Sequence, residues 1–314
     1  MITTTDTLPA QVQQHFDDRL LSVRTPNLIH GVAATPKMLP NKGGKTLRMS
    51  RYDRLPTFPV PLGTSGATPP AVQPTRNDID ATVSFFGQFI ACNQQVTLQN
   101  QDPVLNSFCE LLGLSLKMTE DQITRDCMNS TSSVYNCTGG NNGDLPTNMS
   151  LSDFDEVTST LMTNDAWMIL NSQEGEDKFG TGPVRDAFLA LGHTKLSKDF
   201  NQLQGAIPKW NYPNTNDTLS SEWCSVNNVR VLLSSVGSVD VTSSRLGNDV
   251  YNVFIQGMES VGIVHQDNFT ARYLYRPPVF SDPLFQNFTI GTVFCTVSRI
   301  LNDLWITKMR ATLR

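Results

Sequence analysis

Residues 39–55 read LPNKGGKTLRMSRYDRL, and this stretch decides between two folds. Its Gly-Lys-Thr triplet at 44–46 resembles the end of a phosphate-binding loop, but that motif needs a glycine five residues earlier, where this chain has Leu39. A phosphate-binding loop also opens a helix, whereas here Leu47 and Met49 alternate with polar residues in the period of a strand. The sequence therefore predicts a turn at Gly43 and Gly44 that leads into a basic β-strand.

The chain beyond this strand predicts a long hairpin. Residues 57–75 contain five prolines, which excludes regular secondary structure there. Residues 78–93 (DIDATVSFFGQFIACN) then form a second run that is rich in β-branched and aromatic residues, as strands are. A two-stranded hairpin is only marginally stable by itself in water, so we expect this one to lie against another surface.

The rest of the chain alternates helices and strands without a strict βαβ repeat, which predicts an α+β fold. Asp102 and Pro103 predict the start of the principal helix. Its apolar spacing resumes through Ile123 and Cys127 towards Tyr135, whereas the polar composition of 117–148 indicates a break within that stretch. Ser152 and Asp155 predict the capping box of a second helix. Further predicted elements are strands at 184–193, 228–236 and 249–257, a short helix at 194–205, and two strands within 288–313 that join around 301–303.

Composition limits the classes of partner. The formal net charge is −5, which argues against tight non-specific binding of nucleic acid. Residues 1–76 hold nine Lys and Arg against four Asp and Glu, whereas residues 77–314 hold fifteen against twenty-five. This asymmetry suggests that the basic leading part of one molecule lies on the acidic body of another. Neither a secretory signal nor a segment of membrane-spanning length is present, so we expect no membrane partner.

Candidate catalytic and metal-binding residues are sparse. The six cysteines are scattered without a Cys-x-x-Cys pair, and no two of the four histidines have metal-ligand spacing, so we expect neither metal nor cofactor. Glu120 and Asp121 are expected to be solvated surface charges. An alternative function is a hydrolase-type enzyme with its site near His193 and the 173–182 loop, but no activating partner lies nearby in sequence. We therefore expect no catalytic residues.

The most concentrated chemistry lies on the first strand of the hairpin. Its arginines have too few aromatic neighbours for a single-stranded nucleic-acid platform, whereas forked guanidinium groups suit ion pairs across a protein interface. The predicted inter-subunit contact residues are Lys45, Arg48, Arg51, Tyr52 and Arg54.

The order of these elements resembles the HK-97 (Hong Kong 97) capsid fold of tailed phages and herpesviruses. Specific stretches are similar to the coliphage N4-like major capsid family. They are LPNKGGKTLRMSRYDRLP (39–56), ALGHTKLSKDF (190–200), VNNVRVLLSS (226–235) and the closing stretch DPLFQNFTIG…RILNDLWITKMRA (282–311). In the third stretch, Asn227 and Asn228 replace the glycines usual in that family. The matches follow the order of the family and extend over nearly the whole chain.

The resemblance implies a division of the chain into five segments. They are an N-terminal arm (1–40), an E-loop hairpin (41–90), a peripheral domain with a long spine helix (91–154), an axial domain (155–284) and a C-terminal return to the peripheral domain (285–314). The implied function is that of a structural major capsid protein, which assembles into hexamers and pentamers of an icosahedral phage head around double-stranded DNA. A phage tail or decoration protein is a further alternative.

The resemblance also implies partners and a location. Copies of the chain itself are the principal partners, and packaged double-stranded DNA is contacted without sequence specificity. Scaffolding, portal and decoration proteins are further candidate partners. The protein would be made in the cytoplasm of a bacterial host and reside in the capsid shell of the virion. No covalent cross-link between subunits is predicted.

Overall fold

The computed structural model describes residues 26–55, 71–99, 104–169, 187–212, 218–219, 221–241, 247–267, 269, 271–278 and 283–314. Residues 173–182, the predicted helix start at 102–103 and most of the predicted hairpin tip lie outside these ranges. The helices described are α1 (Gln94–Gln99), α2 (Val104–Asn129), α3 (Leu151–Thr163) and α4 (Ser197–Gln202). The strands described are β1 (Thr35–Leu39), β2 (Thr46–Tyr52), β3 (Arg76–Thr82), β4 (Ser84–Asn93), β5 (Val134–Asn136), β6 (Phe188–His193), β7 (Ala206–Pro208), β8 (Glu222–Val226), β9 (Val229–Ser234), β10 (Val239–Asp240), β11 (Val250–Gln256), β12 (Val261–Gln266), β13 (Ala271–Arg276), β14 (Asn287–Ile300) and β15 (Ile306–Thr312).

The glycine pair forms the predicted turn. The backbone N–H of Gly43 donates to the carbonyl of Pro40 at 3.0 Å, and Gly44 has a φ of 88°, a conformation that favours glycine. Strand β2 follows the turn and pairs antiparallel with β3 along its whole length. The predicted hairpin is therefore present, but the second apolar run divides, because β4 leaves the hairpin at Ser84 and joins a sheet with β14.

A five-stranded sheet carries the long helix. Its central strand β14 pairs with β4 along one edge and with β12 and β13 along the other, and β1 adds in parallel to β12. Helix α2 packs on one face of this sheet, where Leu112 contacts a cluster that includes Phe288 and Ile290. None of the helices in the described ranges is long and apolar enough to cross a membrane.

Helix α2 runs without interruption through Ile123 and Cys127, so a break is absent from 117–129, and the helix ends at Asn129, within the polar stretch 117–148. Its polar residues have tertiary partners that replace water. The hydroxyl of Thr124 lies 2.9 Å from that of Ser298 on β14, and the carboxylate of Asp121 binds His30. Paired polar groups can be buried without the cost that an unpaired group carries, so the helix continues to Asn129.

An eight-stranded sheet forms the second layer, in the order β5-β15-β11-β6-β9-β8-β7, with β10 also paired to β11. One face packs against Phe154 of α3 and Phe200 of α4. The other face packs against Ile29 and against Met128 of α2. Because both faces are covered, β9 and β11 are buried along their whole length, which explains why apolar residues occur at adjacent positions and not only at alternate ones.

The two sheets do not follow the predicted segment boundaries. Within 285–314, β14 lies in the five-stranded sheet, whereas β15 pairs with β11 in the eight-stranded sheet. Strand β12, from the segment predicted as axial, lies beside β14. The C-terminal strands therefore link both layers.

Helix α3 begins two residues earlier than predicted. Its capping box is formed by Ser150 and Asp153, not by Ser152 and Asp155. The buried carboxylate of Asp153 also accepts hydrogen bonds from the hydroxyl of Tyr135 and the backbone N–H of Gly140. The bond from Gly140 attaches the stretch 138–148 to α3, and Thr147 near its other end donates its backbone N–H to the carbonyl of Cys137. The composition of this stretch, rich in Gly and Asn, is that of a linker.

Candidate inter-subunit surface

The hairpin presents one face to solvent, and its charges there are paired within the chain. Arg48 donates from Nε to Oδ1 of Asp80 at 2.7 Å and from Nη2 to Oδ2 at 2.9 Å. Arg76 donates to Asp78 at 2.7 Å and to the hydroxyl of Ser50 at 2.7 Å. The hydrogen bond from Arg48 lowers the pKa of Asp80, and those from Ser50 and Arg76 lower the pKa of Asp78.

The opposite face of β2 turns towards the body of the subunit. Leu47 and Met49 pack against a small core that includes Val264 and Cys295. Arg51 shares their side of the strand, and its buried Nε has no hydrogen-bond partner among the described residues. It lines a cavity of about 850 Å³ between the hairpin and the body, whose other walls include Trp167, Glu259 and Trp305.

The remaining predicted contact residues lie at the ends of β2. Lys45 is exposed, and its carbonyl accepts the backbone N–H of Val83 at 3.0 Å, which closes the base of the hairpin. Tyr52 is 67% exposed at the other end. Arg54 donates to Asp165 at 2.8 Å, and both side chains are well exposed.

The five predicted residues therefore do not form a single basic surface. Arg48 and Arg51 point to opposite faces, as two residues three apart on a strand must. Sequence reasoning missed the three aspartates that pair with the hairpin's basic side chains, namely Asp78, Asp80 and Asp165. Asp78 and Asp80 could have been predicted from the sequence. Acidic residues two positions apart on the second strand of the hairpin lie opposite the basic residues of the first strand.

Asp121 is not a solvated charge, contrary to the expectation for the Glu120–Asp121 pair. Its side chain is 4% exposed, and it accepts both the backbone N–H and the ring Nδ1 of His30. Glu120 is partly exposed, with Oε1 3.3 Å from Nε2 of His265 on β12. Two of the four histidines thus contact adjacent carboxylates of α2.

His193 ends β6 and takes part in local structure. Its Nδ1 accepts the backbone N–H of Lys195 at 3.0 Å, and its ring lies 5.4 Å from that of Tyr251. Burial and the neighbouring Lys195 lower the pKa of His193. Among the described residues, no three His, Cys, Asp or Glu side chains are grouped so as to hold a metal ion.

Sequence comparison gives no relatives. No protein-family model matches the chain, and no curated protein matches it.

Structural comparison gives similar chains over nearly the full length. A chain of the capsid of Ralstonia phage GP4 aligns with a TM-score of 0.71 and 7% identity, covering 97% of this chain and 96% of that one. A chain of the cyanophage Pam1 capsid asymmetric unit aligns at 0.64 and 12% identity, covering 99% of both chains. A chain of the cyanophage P-SCSP1u capsid aligns at 0.64 and 11% identity, covering 97% and 94%. The chain therefore has the HK-97-type capsid fold, and the α+β prediction is confirmed.

Proposed function

We propose that this chain is the major capsid protein of a tailed double-stranded DNA phage, a structural protein that assembles into the shell of the virion. The observation that carries the proposal is the alignment of nearly the whole chain with nearly the whole of several phage capsid chains. No large part of this chain is left over for a separate activity, and little of the capsid chains is missing from it.

Within this proposal, the E-loop hairpin is formed by β2 and β3 and ends before β4, which belongs to the five-stranded sheet. Helix α2 is the spine helix of a peripheral domain, and the eight-stranded sheet is the core of the axial domain. The axial loops would meet at the centres of hexamers and pentamers. The hairpin supports this assignment because, in the described part of the chain, β2 and β3 pair as strands only with each other. Its inner face packs on the body of its own subunit through Leu47 and Met49, so its solvent face is the part that a neighbouring subunit would contact.

The finer assignments follow from the resemblance of the sequence motifs. We propose on this resemblance that the chain is a member of the coliphage N4-like family and is made in the cytoplasm of a bacterial host. Packaged DNA would be contacted weakly and without sequence specificity, because a net charge of −5 argues against tight binding to phosphate groups. Scaffolding, portal and decoration proteins are proposed as further partners.

A structural role is proposed in place of the enzyme alternative. A general base needs an acidic or nucleophilic partner within hydrogen-bond reach, and His193 instead accepts a backbone N–H and packs against Tyr251. The fold comparison likewise favours shell proteins over a hydrolase.

Size-exclusion chromatography with multi-angle light scattering tests the proposal. A 34.8 kDa chain that builds shells should elute partly as particles of megadalton mass. The assembled fraction should change with salt, because screening weakens contacts between exposed charges. An enzyme of the alternative class should elute as a small closed oligomer whose mass does not depend on protein concentration.

A further inference from the structure

The cavity between the hairpin and the body has the size and the lining of a small-molecule site. Its volume is about 850 Å³, within the range of roughly 300–1,000 Å³ that is usual for ligand cavities. Such cavities are mostly apolar, with a few polar groups that fix the orientation of the ligand. The apolar walls here include Leu47, Met49 and Ile79 of the hairpin and Trp167, Leu304 and Trp305 of the body.

Arg51 supplies a polar group for such a ligand. Its Nε is buried, and neither a hydrogen bond nor an ion pair joins its guanidinium group to another described residue. A buried donor that lacks an acceptor is unfavourable, so this position favours a ligand that brings an acceptor. A guanidinium group binds a carboxylate through two parallel hydrogen bonds, which makes a carboxylate the best-matched partner.

Two stacked tryptophans form a flat wall of the cavity. The ring centroids of Trp167 and Trp305 lie 6.1 Å apart, at an interplanar angle of 25°. The carbonyl of Trp167 accepts the backbone N–H of Met258 at 2.8 Å, and that of Trp305 accepts the backbone N–H of Gly257 at 2.9 Å. These bonds hold the backbone beneath the rings, whereas the side chain of Trp167 is 62% exposed. A planar aromatic ring can therefore stack on this wall.

The charges around the cavity limit the charge of the ligand. Arg54 is paired with Asp165 at 2.8 Å, and Asp53 accepts a hydrogen bond from Asn77. A phosphate dianion would meet no net positive charge in this lining, whereas a singly charged carboxylate needs only Arg51. The charged lining residues are three basic and three acidic ones, namely Lys37, Arg51, Arg54, Asp53, Asp165 and Glu259.

We propose that this cavity binds a small aromatic carboxylate, whose ring stacks on Trp167 and whose carboxylate pairs with Arg51. The site lies within one subunit, so the proposal goes beyond the proposed function and does not depend on it. Because such a ligand contacts β2 and the body at once, it stabilises the position of the hairpin against the body.

Isothermal titration calorimetry with 2-naphthoate tests the proposal. We expect one site per chain, with a dissociation constant below about 1 mM, in keeping with the size of the probe. The neutral analogue naphthalene-2-carboxamide should bind at least tenfold more weakly, because it cannot form the charge-assisted pair with Arg51. Bound 2-naphthoate should also raise the midpoint of thermal unfolding, since it binds the folded chain.

Two pairs of variants locate the site. Arg51→Met should reduce the affinity for 2-naphthoate at least tenfold, whereas Arg48→Met, on the opposite face of the same strand, should leave it unchanged. Trp167→Leu should likewise weaken binding at least tenfold. Trp210→Leu should not, although Trp210 is exposed to the same extent of 62%. Thermal unfolding identifies the variants that are folded, and the two pairs are independent, so either one suffices to locate the site.

Three results would overturn the proposal. The first is an absence of binding to the wild-type chain at about 1 mM 2-naphthoate. The second is equal affinity for the charged and the neutral probe, and the third is an equal effect of the two members of a pair of folded variants. None of these results bears on shell assembly, which is measured separately, so failure of this proposal and failure of the proposed function are distinguishable.

Discussion

The ring Nδ1 of His30 lies 2.7 Å from Oδ2 of Asp121, and the backbone N–H of His30 donates to the other oxygen of the same carboxylate at 2.8 Å. The two residues are 91 positions apart in the chain and are both buried. This contact attaches the N-terminal segment before β1 to the middle of α2.

Removing this carboxylate should destabilise the subunit. Asp121→Ala leaves two buried donors of His30 without an acceptor, and we expect a loss of about 3 kcal/mol in the free energy of unfolding. Asp126→Ala is the control on the same helix, because Asp126 is well exposed and pairs only with its neighbour Arg125 among the described residues; it should change stability by less than about 0.5 kcal/mol. Urea denaturation of both variants measures the difference, and equal losses would show that the buried contact contributes nothing specific.

The glycines at 139 and 140 provide a test of the ordered 138–148 stretch. Both have positive φ, but an added Cβ would have open space at Gly139 and would lie 2.8 Å from Cβ of Ser152 at Gly140. Gly139→Ala should cost about 1 kcal/mol from backbone strain alone. Gly140→Ala should cost more, because the clash also disturbs the N–H bond to Asp153. Thermal unfolding measures both, and two equally mild variants would mean that this stretch does not pack on α3.

Acid should weaken the junction between α2 and β15. Burial raises the pKa of Asp303, but hydrogen bonds from Ser132 and Thr131 outweigh it, so the pKa lies below its ordinary value of 3.8. A carboxylate with a lowered pKa in the folded state contributes stability above its unfolded pKa and loses that contribution as pH falls through the folded pKa. Asp303→Asn should therefore be less stable than wild type at pH 7, and the difference should shrink below about pH 4. A constant difference from pH 7 to pH 2, measured by urea denaturation, would contradict this assignment.

Charge reversal tests the predicted contact residues of the hairpin. Replacing Arg48, Arg51 and Arg54 together with glutamate sets like charges against Asp80 and Asp165, and against the acidic body of a neighbour. We expect a folded subunit whose association constant for assembly falls by about tenfold or more, equivalent to a total of about 1.4 kcal/mol for the three substitutions. The assembled fraction is measured by sedimentation.

A charge swap separates hairpin integrity from contact between subunits. Arg48→Glu combined with Asp80→Arg restores the cross-strand pair with reversed polarity. If this double variant assembles like wild type, Arg48 acts only within its own hairpin. If the triple variant assembles normally, none of the three arginines contributes to the interface between subunits.

Local patterns predicted much of the fold. The turn at Gly43 and Gly44, the buried strands β9 and β11, and the long strand β14 followed by β15 all came from glycine positions and from apolar periodicity. These features depend on residues that are neighbours in sequence, so the local sequence is sufficient to predict them. The same holds for the solvent-facing alternation of β2.

The errors arose where distant residues supply the partner. Helix α2 continues through its polar half because His30 and Ser298 satisfy Asp121 and Thr124, and neither contact is visible in the local sequence. The capping box was placed two residues late because Ser-x-x-Asp occurs twice in succession, and the buried hydrogen bonds to Asp153 select the first. The ion pair between Arg48 and Asp80 likewise depends on the register of β2 against β3, which the local sequence does not give.

Electron microscopy of the purified chain shows whether it assembles into a shell. Negatively stained samples would be taken after size-exclusion chromatography with and without added salt. We expect closed shells, or rings of five and six subunits, from which the hairpin reaches over the adjacent subunit. A uniform small oligomer under every condition, with no hairpin reaching a neighbour, would contradict it.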